Sequence, residues 1–315
     1  LWSLSQDTQL LRYFYRRLRN YYLFYTGRLG SSTTARFTRG LLNTWDYFYN
    51  SGGWDDYPAQ EYVHDHALEN NAAPIVVTAH AIRIAKIMLK ANRLLGDSIS
   101  EEGDTAIYRE DIRRFTEILN TYAWDPEVGY YGYLTHDEYG RPAGILRSED
   151  GENLNRGMDG VTPLYAGAVP DGAELAMLLD NVHSREGLMT PIGLTTVDQR
   201  ASYYSKSGYW NGAVWMPHQW FIWKACFDLS DGDFAWSIAR TALDLWQHEV
   251  GESFGCFEHF IVETGRGAGW HHFGGLSAPI LNWFAAYYHP GRVTGGFNCT
   301  ITKHEYDEKL SCMVC

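Results

Sequence analysis

Two stretches of this chain place carboxylates beside indoles and tight glycine turns. The first is Asn50-Ser51-Gly52-Gly53-Trp54-Asp55-Asp56-Tyr57-Pro58-Ala59-Gln60. Its paired glycines tolerate φ > 0 and so permit a sharp loop, and its proline fixes the exit. An indole suits the C–H face of a pyranose. A carboxyl group set against it is partly desolvated, which raises its pKa and suits it to be a general acid. The same residues also fit a plain surface turn with a half-buried Trp54 and solvated aspartates. The second stretch lies far downstream: Cys256-Phe257-Glu258-His259-Phe260-Ile261-Val262-Glu263-Thr264-Gly265-Arg266-Gly267-Ala268-Gly269-Trp270-His271-His272-Phe273. It repeats the logic, with a carboxylate between aromatics, a glycine-rich turn, then Trp and His. Glycosidic hydrolysis needs two carboxyl groups facing each other across the sugar, and one such group on each of two loops is the pattern to look for.

A third stretch, Tyr209-Trp210-Asn211-Gly212-Ala213-Val214-Trp215-Met216-Pro217, sets two indoles and an amide at the mouth of a helix. It fits a sugar platform, although plain helix packing accounts equally for Trp215 and better for Met216. Tyr57 and Gln60 are candidates to bind sugar hydroxyls. His271 has a sugar-binding or a structural role open to it. Asp159 reads as a buried carboxylate that fixes a loop.

These loops need helices to carry them. Apolar residues recur at helical spacing over 5–28, 72–95 and 105–122, and again over 172–181, 213–229, 233–250 and 276–288. Between them, 124–172 is long and rich in Gly and Asp, and the alternation in Gly129-Tyr130-Tyr131-Gly132-Tyr133 predicts a hairpin. Connections this long are usually lids or binding loops. After Pro290, residues 293–301 and 310–315 read as strands. The expected fold class is all-α, a toroid of helical hairpins over 1–290 followed by a short β segment over 291–315.

Composition removes several classes of function. With 26 basic against 38 acidic residues the net charge is −12, which disfavours nucleic acid or an anionic membrane as partner. No run of eighteen apolar residues exists, so no membrane span is expected. The 12 Trp and 22 Tyr exceed what an ordinary core needs and suit a flat amphipathic ligand such as a carbohydrate. His64-Asp65-His66 lacks the i, i+4 spacing of a zinc helix, and Cys312-Met313-Val314-Cys315 lacks a second ligand pair, so no metal and no cofactor is expected. Asn298-Cys299-Thr300 fits a glycosylation sequon, which leaves the compartment open. Phosphate loops, dinucleotide fingerprints and nucleophile elbows are absent.

Gly53-Trp54-Asp55-Asp56-Tyr57-Pro58 resembles the acid-bearing loop of processing α-glucosidase I, a Gly-Leu-Asp-Asp-Tyr-Pro pattern, and the Gly-Trp-Asp loop of the trehalases. Phe257-Glu258-His259-Phe260 ahead of Thr264-Gly265-Arg266-Gly267 resembles their base loop. Trp124-Asp125-Pro126-Glu127-Val128-Gly129-Tyr130 and Asp159-Gly160-Val161-Thr162-Pro163-Leu164-Tyr165-Ala166-Gly167 look like the same families, in family order. The resemblance implies an inverting, exo-acting α-glycosidase on an (α/α)6 toroid, in the clan of α-glucosidase I, mannosylglycerate hydrolase and trehalase. By position, Asp55 becomes the general acid and Glu258 the general base, with Glu263 the fallback for the base. Trp54, Asp56, Tyr57, Gln60, Tyr209, Trp210, Asn211, Trp215, Trp270 and His271 become the candidate substrate contacts. Asn211 stands where many such α-glucosidases carry Arg, and the arginine cluster of the trehalases is not evident, so the sugar stays unassigned. The roughly seven helices fall short of a complete toroid, and the early ones are expected to lie outside this sequence. The competing readings are a carbohydrate-binding toroid without hydrolysis, and a lyase or epimerase with His271 as base.

Overall fold

The computed structural model describes residues 7–30, 32, 34–43, 53–96, 103–288, 295–297, 305–307 and 312–314. Asn50, Ser51 and Gly52 of the first loop and the sequon Asn298-Cys299-Thr300 lie outside these residues. The described chain is mostly helical and divides into two compact units, Leu1–Leu178 and Leu179–Cys315.

In the first unit, helix α1 (Thr8–Tyr25) starts where the Asp7 carboxylate accepts the Gln9 and Leu10 amides. Helix α2 (Pro58–Asp65) follows the Asp55 turn with proline in its first turn. Helix α3 (Ile75–Leu95) is apolar on most of its circumference and is the buried centre of this unit, as that pattern requires. Its alanines let helix α4 (Asp104–Ile118) and α1 approach closely. Tyr15 and Tyr22 of α1 share a core with Ala85, Met88, Ala91 and Leu95 of α3 and Tyr108 of α4. Polar ties cross the same seam: the Tyr22 hydroxyl donates to Asp111 at 2.5 Å, and Arg28 meets the other oxygen of that carboxylate at 2.7 Å.

Residues 72–73 do not extend α3 as the apolar pattern predicts. Pro74 caps the helix, and Ala72–Ala73 pair as a strand with Leu134 and Thr135, which in turn pair with Gly144 and Ile145. Likewise α4 stops at Ile118, and the rest of the predicted helix winds as a π turn over Leu119–Ala123. The expected hairpin near residue 130 forms between Trp124–Asp125 and Tyr130–Tyr131. Helix α5 (Thr162–Ala166), which no pattern announced, ends at Gly167 in the left-handed region. Lys86 of α3 reaches across to the Ala166 and Gly167 carbonyls at 2.8 and 2.7 Å, placing a cation at that helix end. Helix α6 (Ala173–His183) follows.

The second unit packs α7 (Met216–Asp228), α8 (Gly232–Ser253) and α9 (Ala278–Tyr288) against one another, with Trp223 and Trp283 buried at the seam. The Trp223 indole N–H is satisfied by the Tyr287 hydroxyl at 3.0 Å. Beside the helices runs a small β assembly. Thr195 pairs with Val214, Val214 with Phe260, and Phe260 with Gly267 in the ribbon His259–Ile261/Arg266–Ala268. Near the end of the chain Glu305–Asp307 pairs with Cys312–Val314, while Gly295–Phe297, part of the first predicted strand there, is irregular.

Candidate active site

The Asp55 loop opens at Gly53, whose φ of +75° suits glycine. A turn follows, closed by the Tyr57 amide donating to the Trp54 carbonyl at 3.0 Å. Its two aromatic ends are buried: Tyr57 is 1% exposed, Trp54 9%, and their rings meet edge to face at 5.4 Å. Between them Asp55 is exposed and Asp56 half-buried. Gln60 is wholly buried in α2. Glu61, the next residue, titrates above the usual carboxylate range, first through burial and then through the charges of Asp56 and Asp65.

The anchor beneath this turn is a chain of amides. The Tyr57 hydroxyl donates to Asn155 Oδ1 at 2.8 Å, and Asn155 Nδ2 donates to the Tyr131 carbonyl at 2.8 Å. Asn153 Oδ1 accepts the Asn155 amide, while its Nδ2 donates to buried Asp125, whose carboxylate also faces Arg147 at 2.9 Å. Asn153 and Asn155 were invisible in the sequence, since isolated asparagines in a glycine-rich segment look like turn formers. Asp159 sits nearby in the chain, fully buried, accepting the Val76 amide at 2.7 Å at the start of α3. Burial pushes its carboxyl up to about 7, against bonds from Tyr133, Val76 and Ile75 that favour the charge.

In the second unit Glu258 precedes the ribbon. Both its oxygens are engaged: the Tyr209 hydroxyl donates to Oε1 at 2.5 Å, and the Trp270 amide donates to Oε2 at 3.1 Å. The Glu258 amide returns a bond to the Trp270 carbonyl at 3.1 Å. Gly269 between them has φ +72°, and a Cβ there would lie 2.4 Å from Glu258 Oε2. Glu263, by contrast, is exposed at the ribbon's turn.

Behind Glu258 stands a stack of rings. Trp210 and Trp215 are stacked at 3.5 Å, Trp215 lies over His259 at 5.1 Å, and Tyr209 meets Trp215 edge-on at 4.9 Å. Trp215 is 1% exposed and Trp210 6%, so this pair forms a packed wall. Burial lowers the His259 pKa while the Glu258 charge opposes it, and burial takes His218 down to about 3. Burial thus favours the neutral form of both rings. Asn211 turns its Oδ1 back to accept the Tyr209 amide at 3.1 Å, which shapes the turn that delivers the tyrosine. Trp270 is 61% exposed, and exposed His271 lies next to it.

No group of three or more His, Cys, Asp or Glu suited to a metal ion occurs among the described residues. His64 faces Glu69 at 3.1 Å, while His66 Nδ1 meets its own helix at the Tyr62 carbonyl. Among the described residues no helix is long and apolar enough to cross a membrane.

With this geometry in hand, the comparison with known proteins is decisive on family. The family model for the mannosylglycerate hydrolase MGH1-like glycoside hydrolase domain matches residues 2–274. The chain belongs to this family. A GH63 mannosylglycerate hydrolase from Thermus thermophilus, solved with Tris and D-glycerate, shares 23% identity at a TM-score of 0.51, over 68% of this chain and 45% of that one. An uncharacterized conserved protein from the same organism shares 22% at a TM-score of 0.59, over 88% and 75%. A neutral trehalase from Saccharomyces cerevisiae shares 14% at 0.53, over 69% and 38%. The chain thus spans about half the length of the mannosylglycerate hydrolase it matches. These likenesses establish the all-α, six-hairpin glycosidase fold expected from the motifs. No curated protein matches the sequence.

Proposed function

We propose that this MGH1-like domain is an inverting, exo-acting α-glycosidase that acts on an oligosaccharide or small glycoside, with Asp55 as general acid and Glu258 as general base. The supporting observation is the setting of Glu258: an ionisable carboxylate gripped at both oxygens, against an aromatic wall, next to an exposed indole. A general base must be held within reach of one water, and two fixed donors do that while leaving each oxygen a further lone pair for the proton. In the proposed step, water attacks the anomeric carbon as Glu258 takes its proton. The C–O bond breaks, and Asp55 protonates the departing glycosidic oxygen. No cofactor enters the step.

Exposed Trp270 with His271 is the proposed sugar contact beside the base, and Trp54, Asp56, Tyr57 and Gln60 build the acid side. Tyr209, Trp210, Asn211 and Trp215 serve the base side by forming the packed wall behind Glu258. The Thermus protein is described as a mannosylglycerate hydrolase, so α-mannosides belong in the substrate panel with α-glucosides and trehalose.

The test is hydrolysis of that panel with the product anomer followed by proton NMR, alongside Asp55→Asn and Glu258→Gln. The expected result is release of the inverted anomer, with each substitution lowering kcat by about a thousandfold. Retained configuration, or full activity in either variant, would sink the assignment.

A further inference from the structure

We propose that Glu249 is a positioning residue for Glu258: by closing the free edge of the 259–268 ribbon and gripping Arg266, it fixes the backbone that holds the Glu258 carboxylate. The inference rests on the reading of Glu258 as the base. Glu249 lies near the end of α8, outside every motif of the chain. Its carboxylate is 2% exposed and receives three bonds from the ribbon. Arg266 Nε and Nη2 approach its two oxygens at 2.9 and 3.1 Å, and the Gly267 amide donates at 2.8 Å.

Ribbon geometry explains why a carboxylate is wanted there. The Phe260 amide and carbonyl both pair with Val214, at 3.0 and 2.9 Å. Gly267, opposite Phe260, therefore points its own amide away from Phe260, toward the open edge. An unpaired edge amide leaves a strand loosely held. Glu249 supplies the acceptor, so the ribbon is fastened on both edges, to Val214 on one side and to α8 on the other. Phe257 closes the face: a Cβ on Gly267 would lie 2.2 Å from its ring.

The electrostatics agree. A buried carboxylate in the last turns of a helix is unfavourable unless a cation joins it. Arg266 is that cation, and its hydrogen bond is the first cause that brings Glu249 down to about 2 against the opposing effect of burial. Glu252 holds the remaining Arg266 nitrogen, Nη1, at 2.7 Å. Two residues beyond Gly267 the chain reaches Gly269 and then the Trp270 amide, which grips Glu258. The path from brace to base is thus three peptide units of ladder and turn.

The experiment compares Glu249→Gln, Arg266→Lys and Glu258→Gln in the full chain by amide hydrogen exchange. Steady-state kinetics on 4-nitrophenyl α-D-glucoside and α-D-mannoside run alongside. In Glu249→Gln the Trp270 amide is expected to exchange about tenfold faster while the α8 interior amide of Ala242 is unchanged. Turnover is expected to fall about tenfold or more in kcat at constant KM, with Arg266→Lys intermediate. Unchanged exchange at Trp270 in a folded Glu249→Gln overturns the proposal. Failure of both variants to fold would overturn it too, by assigning the pair to global stability. Full activity of Glu258→Gln would instead defeat the reading of the base, and the exchange result needs no turnover.

Discussion

The Asp55 turn and the Glu258 ribbon are fastened by opposite means. The turn is held from its flanks: buried Trp54 and Tyr57 sink on either side of Asp55 and Asp56, and a neutral hydrogen bond to Asn155 fixes the deeper ring. The ribbon is held through backbone and charge. It has ladder bonds to Val214, a buried ion pair at Glu249, and donors directly on Glu258. For the proposed chemistry this contrast is informative. The proposed acid must regain a proton in every turnover, and the packed rings on either side keep its loop in place through that cycle. A base must present its carboxylate to one water, and two fixed donors hold it in a single orientation.

After removal of either carboxyl group, crowding the glycine beside Glu258 should have the largest effect. Gly269→Ala inserts a methyl 2.4 Å from Glu258 Oε2 at a φ of +72°, so Oε2 must shift from its seat on the Trp270 amide. Activity on any substrate of the wild type should fall by about a hundredfold, with a loss of about 1–2 kcal/mol in urea unfolding. Wild-type turnover in this variant would show that the glutamate needs no fixed seat.

The pH dependence of unfolding separates two buried carboxylates, one in each unit. Glu249 is depressed to about 2 from an ordinary value of 4.5, so its contribution is fully present above about 4.5 and is lost as pH falls through about 2. Asp159 is raised to about 7 from 3.8, so its contribution has the reverse sign: it is present below about 4 and is lost as pH rises through about 7. Each effect is on the order of a few kcal/mol or less. Urea midpoints across pH 2–8 should lose their acid slope in Glu249→Gln and their fall toward neutrality in Asp159→Asn. Identical pH curves for wild type and variants would remove this distinction.

The smallest expected effect is at the turn. Tyr57→Phe removes the hydroxyl from Asn155 while keeping the buried ring, at a cost of about 1 kcal/mol that calorimetry would read as a lower Tm. Because the flanking rings remain, kcat should change less than in Gly269→Ala. An equal loss would mean that the turn depends on one hydrogen bond as strictly as Glu258 does on the space left by Gly269.

How far the chain could be read in advance depended on the range of the forces involved. Helix α3 was legible because its apolar residues recur over twenty-one positions, and only its first residues were misplaced, where Pro74 turns Ala72–Ala73 into a strand. Helices α2 and α5 have eight and five residues, too few for a period to emerge, and they form because Pro58 and Pro163 start them and packing completes them. Asp55 and Glu258 stood out because their neighbours in sequence are unusual. Glu249 and Asn155 did not, because what makes each matter is a partner 17 or 98 residues away. Trp210 and Trp215 look alike to Trp270 in sequence, yet the first two are walled in and the third is open. That difference comes from the stacking of Trp215 on Trp210 and on His259.

The pairing order Thr195–Val214–Phe260–Gly267 also bears on the timing of assembly. Phe260 and Gly267 belong to one local hairpin, but Thr195, Val214 and that hairpin come from separate places in the chain, and two helices, α7 and α8, lie between Val214 and Phe260. Closing such distant contacts carries an entropic cost that local helix formation does not. Glu258 should therefore reach its seat late. Helical circular dichroism should return during refolding before Trp270 fluorescence reaches its native value, and competence for catalysis should follow the slower signal.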